Sequence, residues 1–180
     1  MIIDNAELIH NIIQNCRKCS YIDKPPCKYK IYHRYLPKQL HTLVISESPP
    51  PGRKNDYMYN LNRSDRLRNT LAKAFGVKQD EVIETLIKHN IFWTAAIKCR
   101  PWSKRGLEYM RRNCISILQH EIELLKPKKI IALGRTAWKS ISELNITGIK
   151  IQRYYHPLYV IRFRRNELFI LKNIILDNEI

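Results

Sequence analysis

The sequence predicts an α/β protein: a three-layer α/β/α arrangement around a central, mainly parallel sheet of four strands. Three observations carry that reading. Four short runs, "TLVIS", "IFWTAAI", "KKIIALG" and "IKIQRYY", have strand length and composition. Segments of helical periodicity lie between them, and strands joined through helices pair in parallel with both faces covered. A chain of 180 residues is long enough for one real core. It shows no repeat, low-complexity tract or domain boundary, so residues 1–180 read as a single domain.

In chain order, "DNAELIHNIIQN" reads as a helix, with Asp4 and Glu7 at capping-box spacing and Leu8, Ile9, Ile12 and Ile13 on one face. It runs into "CRKC", then into a basic, Tyr- and Pro-containing stretch to about Leu40, expected to be irregular. The first strand, Thr42 to Ser46, breaks into Pro49, Pro50, Pro51 and Gly52. "NRSDRLRNTLAKAFG" reads as a helix closed by Gly76. "KQDEVIETLIKH" is a second helix with Asp80 and Glu81 in its first turn. After the strand "IFWTAAI" comes the long amphipathic helix "GLEYMRRNCISILQHEIELLKP", stopped by Pro127. The strand "KKIIALG" ends at Gly134, and "RTAWKSISEL" is helical. The strand "IKIQRYY" ends at His156 and Pro157, and the remainder reads as a basic loop and a closing helix.

Lys and Arg total 32 against 16 acids, a formal charge of +16. Such an excess in one domain points to a polyanionic partner, nucleic acid first. The basic residues are scattered rather than gathered on one amphipathic helix, which disfavours a membrane-surface role. No apolar run has the length of a membrane span. The N-terminus carries acids and no basic n-region, so no signal peptide is read and a cytoplasmic location is expected. With no GxGxxG or Walker loop, a nucleotide cofactor has no support. A monomer is expected.

The five cysteines are Cys16, Cys19, Cys27, Cys99 and Cys114. An odd number in a cytoplasmic chain argues for a metal site over a disulfide framework. Cys16 and Cys19 form a C-x2-C pair, Cys99 closes a strand and Cys114 lies on the next helix. Four thiolates suit a [4Fe-4S] cluster or a tetrahedral zinc. One close pair plus two distant ligands favours iron-sulfur over a zinc ribbon. Cys114 also suits plain helix packing, and Cys27 is the less favoured replacement for one of the four.

Ligand sites in parallel sheets lie at the carboxyl ends of the strands. Here those ends carry "SESPPPG", "KCRPW" and "YHPLY". Taken in order with "CRKC", Cys114 and "PKKIIALG", they make the chain resemble the iron-sulfur (family 4) type of uracil-DNA glycosylase from about Leu8 to Arg162. That family carries a C-x2-C, a Gly-Glu-Ala-Pro-Gly loop after a strand, a strand ending in Lys-Cys-Arg-Pro, a later fourth Cys, a P-x-x-I-x-x-L-G strand and a His-Pro motif. The resemblance implies a structural [4Fe-4S] cluster on Cys16, Cys19, Cys99 and Cys114. It also implies DNA as partner, and a repair enzyme that flips a damaged base and hydrolyses its N-glycosidic bond.

Such a reaction gives the sugar oxocarbenium character and the base negative charge, so it needs an anion or activated water near one and donors near the other. The resemblance assigns Glu47 to the sugar and water, and His156 to the departing base oxygen. It puts Tyr59, with Tyr57 in reserve, at the base-stacking position. Tyr159 or Val160 would wedge into the gap left by flipping. Lys98, Arg100, Lys104, Arg105, Arg162, Arg164 and Arg165 would meet phosphates.

Two departures concern the base. Where the family has an Asn that reads uracil, this chain has Ala95, with no donor or acceptor. Three consecutive prolines also remove backbone N–H groups from the first loop. The implied substrate is therefore uracil or another deaminated base. The alternative is a non-catalytic iron-sulfur or zinc protein that binds nucleic acid on the same fold.

Overall fold

The computed structural model describes residues 2–53 and 55–176. Within them four parallel strands form one sheet: β1 (Thr42–Ser46), β2 (Ile91–Ala95), β3 (Lys129–Leu133) and β4 (Lys150–Tyr154), in the order β2-β1-β3-β4. Thr42 pairs with both Ile91 and Lys129, and Lys129 with Lys150, so all four strands start level. Every residue of β1, β2 and β3 is buried, which is why these strands read as continuous apolar runs rather than alternating ones. β2 and β4 are the edges, and β4 is the partly exposed one, carrying Lys150 and Arg153, charged residues of the kind that suits a sheet edge.

The helices are α1 (Ile2–Asn15), α2 (Pro25–Lys28), α3 (Ile31–Arg34), α4 (Arg66–Phe75), α5 (Val82–Lys88), α6 (Leu107–Leu125), α7 (Arg135–Ser142), α8 (Pro157–Phe163) and α9 (Leu168–Leu176). α1 packs with α3 and α6, and α4 packs with α8 and α9, and these two groups flank the sheet. The result is the α/β fold expected, with the core centred on Leu43, Val44, Ile45 and Ile130 to Leu133. α4 begins where the Asp65 carboxylate accepts the Arg68 N–H at 2.9 Å, and ends at left-handed Gly76. α6 is stopped by left-handed Lys126, just before Pro127.

Three local expectations are corrected. α1 already runs from Ile2, so Asp4 sits in its first turn rather than capping it. The stretch before β1 is not wholly irregular, since it contains the single-turn helices α2 and α3. The basic stretch after His156 is not a loop. His156 caps a helix whose first residue is Pro157, because proline's fixed φ and missing N–H suit the first helical position.

In this strand order the chain leaves β1 toward β2 on one side, while β3 and β4 lie on the other. The switch point, where a parallel sheet opens a crevice, therefore lies between the carboxyl ends of β1 and β3.

Candidate active site

Glu47 follows β1 directly and is anchored by its own backbone, its carbonyl accepting the Ile97 N–H at 3.0 Å. Its carboxylate accepts the hydroxyl of Thr136 at 2.6 Å. Thr136 lies in the first turn of α7, just past β3, so this bond spans the switch point. It fixes one carboxylate oxygen. Sequence reasoning missed Thr136, and the available signal was its position in "LGRT", immediately after a strand that ends at the crevice.

His156 closes the other side. Its Nδ1 accepts the backbone N–H of Leu158 at 3.2 Å, which places the ring proton on Nε2. Burial of the ring pushes its pKa down to about 4, a shift opposed by Glu47 and reinforced by Lys104. The imidazole is therefore neutral at pH 7 and has one N–H to donate. Gly134 makes room for it: a Cβ there would lie 3.4 Å from the His156 Cβ. Gly134 also adopts φ 89° and ψ 176°, a region reserved for glycine, while donating its N–H to the Tyr154 carbonyl. A neutral His, an ordered carboxylate and a backbone that lets them share one crevice can stabilise opposite charges on the two halves of a breaking bond.

The proline loop is held from below. Arg100 was expected on DNA phosphates, but it is fully buried. Its Nε donates to Asp23 at 2.7 Å, and one terminal nitrogen donates to the carbonyls of Pro50 at 2.8 Å and Asp56 at 2.7 Å. Prolines keep their carbonyls, so a run of them can still be clamped by a guanidinium. Lys98 is likewise buried, donating to the Glu121 carboxylate and, at 2.8 Å, to the Thr94 hydroxyl. Both cations serve the interior, because their partners lie on distant segments that fold over them.

Tyr57 and Tyr59, expected to stack on a flipped base, are core residues. Tyr59 donates its hydroxyl to the Trp93 carbonyl at 2.8 Å and stacks on Tyr35 at 5.0 Å, while Tyr57 stacks on Tyr29 at 5.5 Å. Their faces are used by the segment before β1, through Tyr29 and Tyr35. Val160 is completely buried on the inner side of α8, so it cannot wedge into a duplex. Tyr159, Arg162 and Arg165 are exposed, as are Lys104 and Arg105 before α6. Arg164 is partly covered and paired with Glu167 at 2.7 Å. Ala95 ends β2 buried, and Ser46 beside it uses its hydroxyl on the Thr94 carbonyl.

The cysteines divide into two sets. Cys99 and Cys114 are buried in a small apolar cluster with Ile97 and Met110, against which Cys19 packs. Burial pushes the Cys99 thiol up to about 12, with smaller contributions from Cys114, Cys19 and Cys16, while Lys24 opposes the shift. Cys114 is raised by burial and lowered by the Lys98 backbone N–H directed at it. The Asn113 amide donates to the Cys19 sulfur at 3.2 Å. Among the described residues no group of three or more His, Cys, Asp or Glu side chains is arranged to hold a metal ion. The donor set nonetheless fits one in kind, with soft thiols from three segments; Lys24 beside Cys99 and the Lys98 backbone N–H on Cys114 oppose, without cancelling, the rise that burial imposes on the two thiols. Cys27 stands apart in the main core, its thiol facing the His10 carbonyl at 3.7 Å and raised to about 11 by burial.

The type-5 uracil-DNA glycosylase of Pyrobaculum aerophilum is 27% identical over 112 residues, which is 54% of this chain but only 48% of that protein. The type-4 uracil-DNA glycosylase of the same organism is 25% identical over 183 residues, covering 88% of this chain and 85% of its own length. The type-4 enzyme of Thermotoga maritima is 26% identical over 146 residues, 72% of this chain and 71% of that one. Among solved structures, a mutant of the UNG from Nitratifractor salsuginis shares the fold, with TM-score 0.54 at 14% identity over 98% of this chain and 92% of the other. The family model of the uracil DNA glycosylase superfamily matches residues 33–176, a span that takes in all four strands, Glu47, Thr136 and His156. The chain belongs to the uracil DNA glycosylase superfamily.

Proposed function

We propose that the chain is a DNA glycosylase that flips uracil or another deaminated base from DNA and hydrolyses its N-glycosidic bond. The observation that carries the reading is the pair across the switch point: Glu47 oriented by Thr136, facing a neutral His156 whose proton sits on Nε2. As the bond from C1′ to the base nitrogen breaks, the sugar becomes cationic and the base anionic. The Glu47 carboxylate stabilises the sugar and orients the water that adds at C1′, accepting its proton. The His156 Nε2–H donates to the base oxygen on which charge gathers. A neutral imidazole suits this task, because it gives a hydrogen bond without having to surrender the proton.

Exposed Lys104, Arg105, Arg162 and Arg165 would bind phosphates around the crevice. Cys16, Cys19, Cys99 and Cys114 would hold a [4Fe-4S] cluster. When bound it would tie the loop after α1 to β2 and α6 as structural support.

The test is strand cleavage after alkali, on oligonucleotides carrying uracil, hypoxanthine, xanthine or a G:T mismatch. Excision of at least one base is expected, with kcat falling about 10²–10³-fold in His156→Ala and at least as far in Glu47→Ala. A second reading, a cluster-bearing nucleic-acid-binding module without catalysis, is favoured by Ala95, which offers the base no side-chain hydrogen bond. Tight DNA binding with no excision of any of the four bases would establish that reading instead.

A further inference from the structure

On the surface beside His156 the sequence "YYHPLYVIRFRR" folds into a row of exposed rings. Tyr155 stacks on Tyr159 with centroids 5.2 Å apart and planes at 23°. Tyr159 meets Phe163, one helical turn on, at 4.9 Å. The three are 43%, 44% and 61% exposed, and Phe163 ends the row in solvent. Arginines are interleaved with it: the Arg164 guanidinium lies 4.6 Å from the Tyr155 centroid and that of Arg162 5.0 Å from Phe163.

A soluble domain gains nothing by leaving three contiguous rings in water, and such a patch marks a binding surface. Arginines stacked on the rings select the partner. A lipid or an apolar protein face would have to desolvate those guanidinium groups, whereas a nucleic-acid strand supplies phosphates for the exposed Arg162 and base faces that extend the stack, while Arg164, held by Glu167 at 2.7 Å, backs the Tyr155 ring. Paired bases offer no free faces, so a ladder of this kind suits unpaired nucleotides. Val160, the apolar residue expected to wedge into a duplex, is turned inward on the same helix.

We infer that Tyr155, Tyr159 and Phe163, with Arg162 and Arg164, form a stacking platform for single-stranded DNA next to the crevice, which makes the unpaired strand the preferred substrate. The inference rests on the proposed reading of the His156 crevice as the DNA-facing site, and deepens it from DNA to the single-stranded form.

The experiment is fluorescence anisotropy of the full chain with a short fluorescein-labelled oligothymidylate that carries no deaminated base, compared with the same strand annealed to its complement. Wild type is expected to bind the single strand about tenfold or more tighter than the duplex, and Phe163→Ala or Tyr159→Ala to lose about tenfold on the single strand, while Phe163→Trp retains binding. Arg162→Gln should reduce the salt slope by about 0.7, and the aromatic changes should leave it unaltered. Phe163 is a surface residue, so its replacement tests binding with the thermal melt unchanged. Equal or tighter duplex binding, aromatic variants that stay within about twofold of wild type on the single strand, or displacement of the strand by polyglutamate at equal charge would overturn the inference. Binding requires no chemistry, so the two readings fail separately. Strand binding without excision removes the glycosylase assignment alone, and excision with an inert ladder removes this inference alone.

Discussion

Glu121 is the residue whose removal should be felt most strongly. It is fully buried on α6, accepting from the Lys98 ammonium on one oxygen and from the Tyr32 hydroxyl on the other at 2.7 Å. Glu121→Ala leaves a buried ammonium with only the Thr94 hydroxyl at 2.8 Å. Breaking a buried pair from one side costs about 3–5 kcal/mol, because the surviving charge stays desolvated. With a urea m value of about 2–3 kcal/mol/M for a chain of this size, the unfolding midpoint should fall by about 1–2 M. The control is Glu121→Leu combined with Lys98→Met, which removes both charges at similar volume. That double variant should lie within about 1 kcal/mol of wild type or above it. The same double variant should leave the salt slope of DNA binding unchanged, since Lys98 reaches no phosphate. The reasoning fails if Glu121→Ala loses less than about 1 kcal/mol, if the double variant is as unstable as the single one, or if the slope drops by about 0.9.

Other perturbations test the site itself. Arg100→Ala strands the Pro50 and Asp56 carbonyls and leaves the Asp23 carboxylate to the more distant Lys28 ammonium at 3.9 Å, so a loss of about 3–5 kcal/mol in chemical denaturation is expected, together with a fall in excision rate as the Glu47 loop loosens. Arg100→Lys should rescue little, because an ammonium cannot copy the planar fork. Gly134→Ala forces a side chain into a glycine-only conformation, at a cost of about 1–3 kcal/mol by urea melt, with slower excision as the strained backbone shifts beneath His156, whose Cβ the new methyl would touch at 3.4 Å. The folded-state pKa of His156, about 4, lies below its ordinary 6.5, so its contribution to stability is fully present above pH 6.5 and is lost as pH falls toward 4. The acid limb of wild-type kcat/KM should accordingly extend below pH 6.5. An acid limb in wild type that remains in His156→Gln would assign that limb to another group.

Much of the architecture was legible because it is written locally. Fully buried strands appear as unbroken apolar runs, and α4 announces both its ends through Asp65 and Gly76. Glu47 and His156 were legible as residues closing strands at the crevice, but their geometry was not. Thr136, which holds one, and Gly134, which seats the other, come from a different strand end. The helix after His156 was missed because its arginines look like a loop, although Pro157 at its first position marked a start.

The sequence by itself determined the sheet, its crevice, the superfamily's ordered motifs and a strong positive charge. Only the tertiary structure decided what each charged or aromatic side chain does with that surface. Lys98 and Arg100 point inward because Glu121 and Asp23 fold over them from 23 and 77 residues away, and a buried cation is tolerable only with such a partner. Tyr57 and Tyr59 are enclosed by rings from the segment before β1, while Tyr155, Tyr159 and Phe163 are left with water on one side. Periodicity and spacing are properties of neighbours along the chain. Burial depends on segments far apart in it, and burial is what separates a core tyrosine from one that can meet a base.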